Sequence, residues 1–415
     1  MSQMMKVFFK TFGCRTNIFD TQVMIENLQT FLPVNSEMEA DIIVINSCTV
    51  TNGADKDVKD YISKVQKLNK KIFFTGCALN SVGKPAFDDK KIFGAFGHSN
   101  KENIEDLLKK QKRFFLENDL SHKDSTIVSD FANKIRGFIK VQEGCNFKCS
   151  YCIIPQVRGK SRSYDRIKIL SQVQKLADNG VSEIVLSGTN LGSYGKDSKD
   201  TLAQLIIAIS KISGIKRIRL GSLEPSQIKD DFLEILDSSF LEKHLHIALQ
   251  HTNDTMLKAM NRINRFDRDL RLFESIAKKG FALGSDFIVG FPGESEVIFE
   301  DMIKKIQILP LTHIHAFIYS ARNNTNAAKL TIDVQKSVAK ERLHTIKNII
   351  SSKNRIFREN KIALNVLVES KKDDFFYGLD QFYNKIKLKS KKSLYSKWIV
   401  VDDYKIEQDM NYAEI

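Results

Sequence analysis

The six cysteines of this 415-residue chain fall into two sets of three. Cys145, Cys149 and Cys152 are spaced Cys-x3-Cys-x2-Cys and directly follow a strand-like run at residues 138–142. Three thiolates on one tight loop can hold three irons of a 4Fe–4S cluster and leave the fourth iron open to a substrate or cofactor. A structural zinc site would want four Cys or His ligands, and no fourth is suitably spaced nearby. Plain burial of the thiols is the remaining reading. Cys14, Cys48 and Cys77 look scattered, but each ends a strand-like run, at residues 6–12, 41–46 and 71–75. In an open parallel α/β sheet such carboxyl ends share one edge, where ligands bind. The three can therefore converge into a second three-thiolate cluster; the competing reading is ordinary burial of cysteine at strand ends. Gly13 and Gly76 precede two of them and allow close backbone approach.

These sets need elements to position them. The N-terminal strand-like runs alternate with helical stretches at 20–31 and 54–69, and a basic helix at 101–112 follows. That is a small parallel βαβαβ unit. A polar, aperiodic stretch then reads as a linker. A second alternating series has strand candidates at 138–142, 183–187, 217–221, 244–250, 284–290 and 313–319, separated by helical patterns such as 169–178 and 202–212. Six strand–helix units predict a partial β/α barrel, short of the eight of a closed one. Residues 334–360 read as one long basic helix, and short β-like runs at 363–369, 383–388 and 398–401 predict a small β appendage. The fold class is thus α/β, divided as 1–118, a linker at 119–134, the partial barrel at 135–361 and the β appendage at 362–415.

Composition bounds the function. Apolar residues make up 42% and charged residues 27%, which excludes a disordered chain or a fibre. Lys and Arg total 64 against 50 Asp and Glu, a formal charge of +14. The excess points to an anionic partner, nucleic acid ahead of an anionic membrane surface. The N-terminus carries no signal-peptide pattern and no apolar run is long enough to span a bilayer, so the expectation is a cytoplasmic protein without a membrane partner. Six cysteines in that compartment are not expected to form a disulfide framework.

The string Cys145-Asn-Phe-Lys-Cys149-Ser-Tyr-Cys152 resembles the signature of radical S-adenosylmethionine (SAM) enzymes. Flanking Glu143, Gly144, Pro155, Arg158 and Gly159, with the three upstream cysteines, make the chain similar to the methylthiotransferase family over essentially its whole length. Matching strings begin at Ser187, Gly221, Leu249, Met260 and Asp286. The family has branches acting on tRNA adenosines and one acting on a ribosomal protein. The strings Arg219-Leu-Gly-Ser-Leu-Glu-Pro225 and Phe317-Ile-Tyr-Ser-Ala-Arg322 look most like the branch that modifies N6-threonylcarbamoyladenosine at position 37 of tRNA.

The resemblance implies two 4Fe–4S clusters, S-adenosyl-L-methionine as cofactor, tRNA as partner, and sulfur and electron donors that the sequence does not identify. It implies that the upstream cluster carries the sulfur, which is methylated by one SAM molecule. A second SAM supplies a radical that removes hydrogen from C2 of the adenine, so no side chain need be the nucleophile. It also implies an N-terminal domain bearing the auxiliary cluster and a C-terminal RNA-binding β module of the TRAM type. Cofactor contacts are expected from strand-end loops at one face of the barrel. The candidates are Gly188, Thr189 and Asn190 for the methionine moiety, Glu224 for a ribose hydroxyl, Gln250, and Arg158 for the cofactor carboxylate or an RNA phosphate. Ordinary loop capping is the plainer reading of each.

Basic residues cluster in three places: Arg158, Lys160 and Arg162; Arg342, Lys347, Lys353, Arg355 and Arg358; and Lys385, Lys387, Lys389, Lys391 and Lys392. Together they read as an RNA footprint. Phe375, Phe376, Tyr377 and Tyr383 are candidates for base stacking or for packing in a small β core. The competing functions are the same chemistry on N6-isopentenyladenosine or on a ribosomal protein, and a non-enzymatic zinc- or RNA-binding protein with structural cysteines.

Overall fold

The computed structural model describes residues 4–129, 131 and 135–415. Its first sheet is parallel and contains β1 (Met5–Thr11), β2 (Phe31–Val34), β3 (Ile42–Ser47), β4 (Lys71–Gly76), β5 (Gly94–Phe96) and β6 (Phe114–Leu116), in the order β2-β1-β3-β4-β5-β6. The unbroken apolar run Ile42-Ile43-Val44-Ile45 is fully buried because both faces of this sheet are covered. Alternate residues go to opposite sides. Ile43 and Ile45 pack with Val58, Ile62 and Val65 of helix α2 (Asn52–Gln66), while Ile42 and Val44 pack with Met24, Ile104 and Leu107.

Two N-terminal elements differ from expectation. The first helix, α1, spans Arg15–Glu26 rather than 20–31, and its N-cap is Cys14. Its buried face carries Thr16, Asn17, Asp20, Thr21 and Gln22, so the apolar periodicity that marks a helix is missing. Phe31–Val34 instead forms the edge strand β2, where the missing N–H of Pro33 is tolerated. The basic stretch expected as a helix at 101–112 is a short 3₁₀ turn, His98–Asn103, followed by a helix over only Ile104–Lys109.

In the second series, parallel strands β7 (Arg136–Glu143), β9 (Glu183–Gly188), β10 (Arg217–Leu220), β11 (His244–His246), β12 (Ala282–Val289) and β13 (His313–Ile318) follow one another in chain order. The short β8 (Arg162–Ser163) runs antiparallel beside β7. Single bridges, Ile218 to Leu241 and Leu223 to Ile247, join the β10 and β11 sides into one curved wall. The long helix Lys336–Arg358 packs on β13. Between the two α/β parts, the described residues of 119–134 form no helix or strand. They are nevertheless anchored: Val128 and Phe131 are buried against Phe19 and Phe138.

The C-terminal sheet has six strands rather than the three expected: β14 (Leu364–Lys372), β15 (Phe375–Leu379), β16 (Lys385–Lys389), β17 (Trp398–Val401), β18 (Lys405–Ile406) and β19 (Asn411–Glu414), ordered β17-β14-β15-β16-β19-β18. Its core includes Val366, Phe376, Ile386, Leu388 and Val401. Among the described residues no helix is long and apolar enough to cross a membrane.

Candidate active site

Cys14, Cys48 and Cys77 follow the carboxyl ends of β1, β3 and β4, three adjacent strands. Gly13 and Gly76 serve the approach of these turns to one another. Gly13 has φ +95° and abuts the Cys48 side chain; Gly76 has φ +105° and lies where a Cβ would strike the Ser47 backbone at 2.3 Å. All three thiols are free, Cys14 exposed and the other two buried. Burial pushes the Cys77 thiol up to about 12; neighbouring Arg158 opposes this, and Cys48 and Cys14 lie close enough to add to it. Burial likewise raises Cys48. The bare Cys48 and Cys77 thiols stay protonated at neutral pH, so their ionisation must accompany metal binding.

Arg158, expected to meet a cofactor carboxylate or an RNA phosphate, is turned into the protein and not to solvent. It is 3% exposed, and its Nε donates to Cys77 Sγ at 3.2 Å. Its Nη1 pairs with Asp20 at 2.7 Å and Glu143 at 2.5 Å, and its Nη2 donates to Asn17. The physical reason is proximity: α1 of the first sheet packs against β7, so its polar face and the cysteine-loop segment share one buried seam. Lys140 lies in the same seam, 2.6 Å from both Asp20 and Asp124 and 3.2 Å from Glu143. Lys101 pairs with Asp20 and Asp124, and Arg162 with Glu143. Burial works against the charge of Asp20, but Lys101, Lys140 and Arg158 outweigh it and hold its carboxyl well below the usual range. Glu143 is lowered in the same way, Lys140 and Arg158 overriding burial. His98, 3.8 Å from Cys77 Sγ, is kept neutral by burial and by Arg158.

Cys145, Cys149 and Cys152 lie on the loop after β7, all three free and part-buried. The Cys145 N–H donates to Gly159 at 3.0 Å, and Ser150 is tied to Ala259 and Met260, which fixes the loop at both ends. Burial pushes the Cys152 thiol up to about 12, with Cys149 and Cys145 adding to it.

Two of the expected strand-end loops meet this loop directly. Asn190 Nδ2 donates to Cys145 Sγ at 3.4 Å, while its Oδ1 is buried and unpaired. Glu224 is held in a fork by Arg262, at 2.6 and 3.2 Å, and the same guanidinium lies 3.9 Å from Cys149 Sγ. Gly188 and Thr189 are part-buried beside Asn190. Gln250 sits further round the wall at φ +68°; its N–H donates to Asp286 and its carbonyl accepts from Ile288.

The residues that hold this geometry were not singled out from sequence. Gln142, fully buried, donates to the Glu143 and Gly144 carbonyls and accepts from the Asn190 N–H at 2.8 Å, locking the second strand-end loop to the cysteine loop. The signal was present: Lys140 and Gln142 alternate with Ile139 and Val141, marking a strand with a polar buried face. Arg262 stood only within a matching string.

The basic clusters are partly spent inside the fold. Arg342 is buried against Glu294 and Glu296, and Arg358 against Asn411 and the Gln408 carbonyl. Lys160, Lys347 and Arg355 remain exposed. On the C-terminal sheet, Lys385 and Lys389 are exposed, and Lys387 lies 3.9 Å over the Phe375 ring. Phe376 belongs to the core, and Tyr383 stacks on His244 at 5.0 Å, so neither is free to stack on a base.

The Radical SAM superfamily model matches residues 139–306, and the model described as Uncharacterized protein family UPF0004 matches residues 6–96. A Helicobacter pylori protein provisionally named a methylthiotransferase is 54% identical over 99% of this chain and its own full length. The Aquifex aeolicus threonylcarbamoyladenosine tRNA methylthiotransferase MtaB is 33% identical over 86% of this chain and 90% of that one. The tRNA-2-methylthio-N(6)-dimethylallyladenosine synthase of Thermosipho africanus is 31% identical over 99% of each. Among solved structures, the radical SAM methyltransferase TsrM of Kitasatospora setae superposes with a TM-score of 0.56 at 11% identity, covering 76% of this chain and 73% of that one. That likeness is one of fold.

Proposed function

This chain belongs to the radical SAM methylthiotransferase family, and within it we propose that it transfers a methylthio group to C2 of N6-threonylcarbamoyladenosine at position 37 of tRNA. The observation that carries the reading is the pair of three-cysteine sets, each gathered at a strand-end edge and the two joined through one buried seam. As a radical SAM enzyme it uses S-adenosylmethionine and a 4Fe–4S cluster, which we assign to Cys145, Cys149 and Cys152. We assign a second cluster to Cys14, Cys48 and Cys77. The fit is chemical: each set offers three free thiols and no fourth cysteine, leaving one iron open in each cluster. When bound, the first cluster with SAM supplies hydrogen abstraction and the second supplies the sulfur.

The chain's own work is binding and positioning. Asn190 Oδ1, a buried acceptor without a donor, suits the ammonium of the methionine moiety. Arg262 holds Glu224 with both oxygens directed, ready to accept from a ribose hydroxyl. Gln142 keeps Asn190 in register with Cys145. Arg158 places a positive charge against Cys77, offsetting the anionic charge of a thiolate-bound cluster.

Two features favour the threonylcarbamoyl substrate over the dimethylallyl one. The strings at 219–225 and 317–322 resemble that branch. The wall of β11–β13 bears His246, Asp286 and His315, a polar lining suited to a carboxylate and hydroxyl rather than to an all-carbon chain. The exposed lysines beside Phe375 serve as tRNA contacts. Mass spectrometry of tRNA nucleosides from a deletion strain tests the reading. Loss of 2-methylthio-N6-threonylcarbamoyladenosine, with its unmethylthiolated precursor accumulating, is expected; unchanged methylthiolated nucleosides would overturn it.

A further inference from the structure

The wall of β11–β13 carries a second constellation that neither cluster nor SAM uses. Parallel strands β11, β12 and β13 place His246 opposite Gly284, Gly284 opposite His313, and Asp286 opposite His315. Alternate residues share a face, so the two histidines and the aspartate project to the same side. Gly284 makes room for them, since a Cβ there would stand 2.6 Å from His246 Nδ1. The His246 and His315 rings stack with centroids 4.6 Å apart.

Their ligand atoms converge. Asp286 Oδ1 lies 3.0 Å from His246 Nε2 and 3.5 Å from His315 Nδ1, and all three atoms lie within 4.8 Å of one another. Three donors bound at about 2.0–2.1 Å in tetrahedral geometry stand about 3.4 Å apart, so a small inward adjustment of the imidazoles suffices. His246 is 7% exposed, and its Nε2 faces Asp286 Oδ1 at 3.0 Å. On the other side His315 is 62% exposed, so the constellation opens to solvent.

We propose that His246, Asp286 and His315 bind one divalent cation of the borderline class, of which Zn2+ is the probe. Two imidazoles and one carboxylate are a donor set that suits Zn2+ or Fe2+ rather than Mg2+ or Ca2+, which prefer oxygen. Three protein ligands leave at least one position open. Open to solvent beside His315, that position takes an oxygen donor such as a carboxylate or hydroxyl. The site stands on these three residues and does not depend on which adenosine is modified.

The test uses anaerobically reconstituted holoprotein equilibrated with Zn2+ and desalted, with zinc and iron counted on the same sample. One zinc per chain is expected above the iron content. Zinc-edge X-ray absorption is expected to show nitrogen and oxygen neighbours at about 2.0–2.1 Å and no sulfur at about 2.3 Å. His315→Ala alters an exposed side chain and is expected to lose the zinc with iron unchanged; Asp286→Asn is expected to weaken it. A wild-type holoprotein without stoichiometric zinc would overturn the proposal, as would sulfur in the zinc shell, which would place the ion on the cysteines. So would zinc retained by His315→Ala.

Discussion

Replacing Arg158 with Met leaves a side chain of similar length but removes the guanidinium from the buried seam. Four cations, Lys101, Lys140, Arg158 and Arg162, there face the three carboxylates Asp20, Asp124 and Glu143. The variant has three against three, so net charge is not the problem. The loss is local: Asp20 and Glu143 each lose a donor within 2.7 Å, and Asn17 Oδ1 loses its donor while Nδ2 keeps the Phe12 and Ser47 carbonyls. Stripping one partner from a buried ion pair costs about 3–5 kcal/mol. Lys140 still reaches both acids, so the lower end, about 3 kcal/mol, is expected. With a urea slope of about 3 kcal/mol per molar, the unfolding midpoint of the cluster-free, reduced chain should fall by about 1 M at pH 7.5. The pH dependence has a definite sign. Asp20 and Glu143 are held below their unfolded values, so their stabilisation is complete above the unfolded pKa of about 4 and is lost as pH falls below it. The difference between wild type and Arg158→Met should therefore be full at pH 7.5 and decline only as pH falls below about 4 toward the depressed folded values. A midpoint shift under about 0.3 M at pH 7.5 would refute the assignment of Arg158 to a buried charge seam.

Alanine at Cys14, Cys48 or Cys77 should abolish methylthio transfer yet leave SAM cleavage measurable as released 5′-deoxyadenosine; loss of both activities in a folded, single-cluster protein would contradict the division of labour. Asn190→Ala removes the unpaired acceptor and should weaken SAM binding about 10-fold in equilibrium dialysis, the equivalent of one hydrogen bond to a charged group, whereas a change under 2-fold would show that Asn190 does not touch the cofactor. Replacing Lys385, Lys387 and Lys389 together with Ala should lower the slope of log affinity for tRNA against log salt by about 2–3, and an unchanged slope would move the RNA footprint elsewhere.

Much of this architecture was legible because it rests on apolar patterning. The run Ile42–Ile45 announces a strand covered on both faces, and the spaced cysteines announce their loops. The start of α1 was illegible for the opposite reason: its inward face is Thr16, Asn17, Asp20 and Thr21, polar because it meets the charged seam. Arg158 read as a ligand contact because Asp20, its partner, lies 138 residues away in sequence and on a different sheet layer. Arg342 and Arg358 read as RNA contacts because a buried cation looks like an exposed one until its partners are placed. Strands β18 and β19 carry too few residues for alternation to show.

Anaerobic reconstitution with iron and sulfide counting, on the wild type and on the Cys145, Cys149 and Cys152 triple alanine variant, tests the central claim most directly. Two independent three-cysteine clusters require about eight irons per chain falling to about four. About four irons falling to none would mean that Cys14, Cys48 and Cys77 hold no cluster, and the proposed source of the transferred sulfur would be lost.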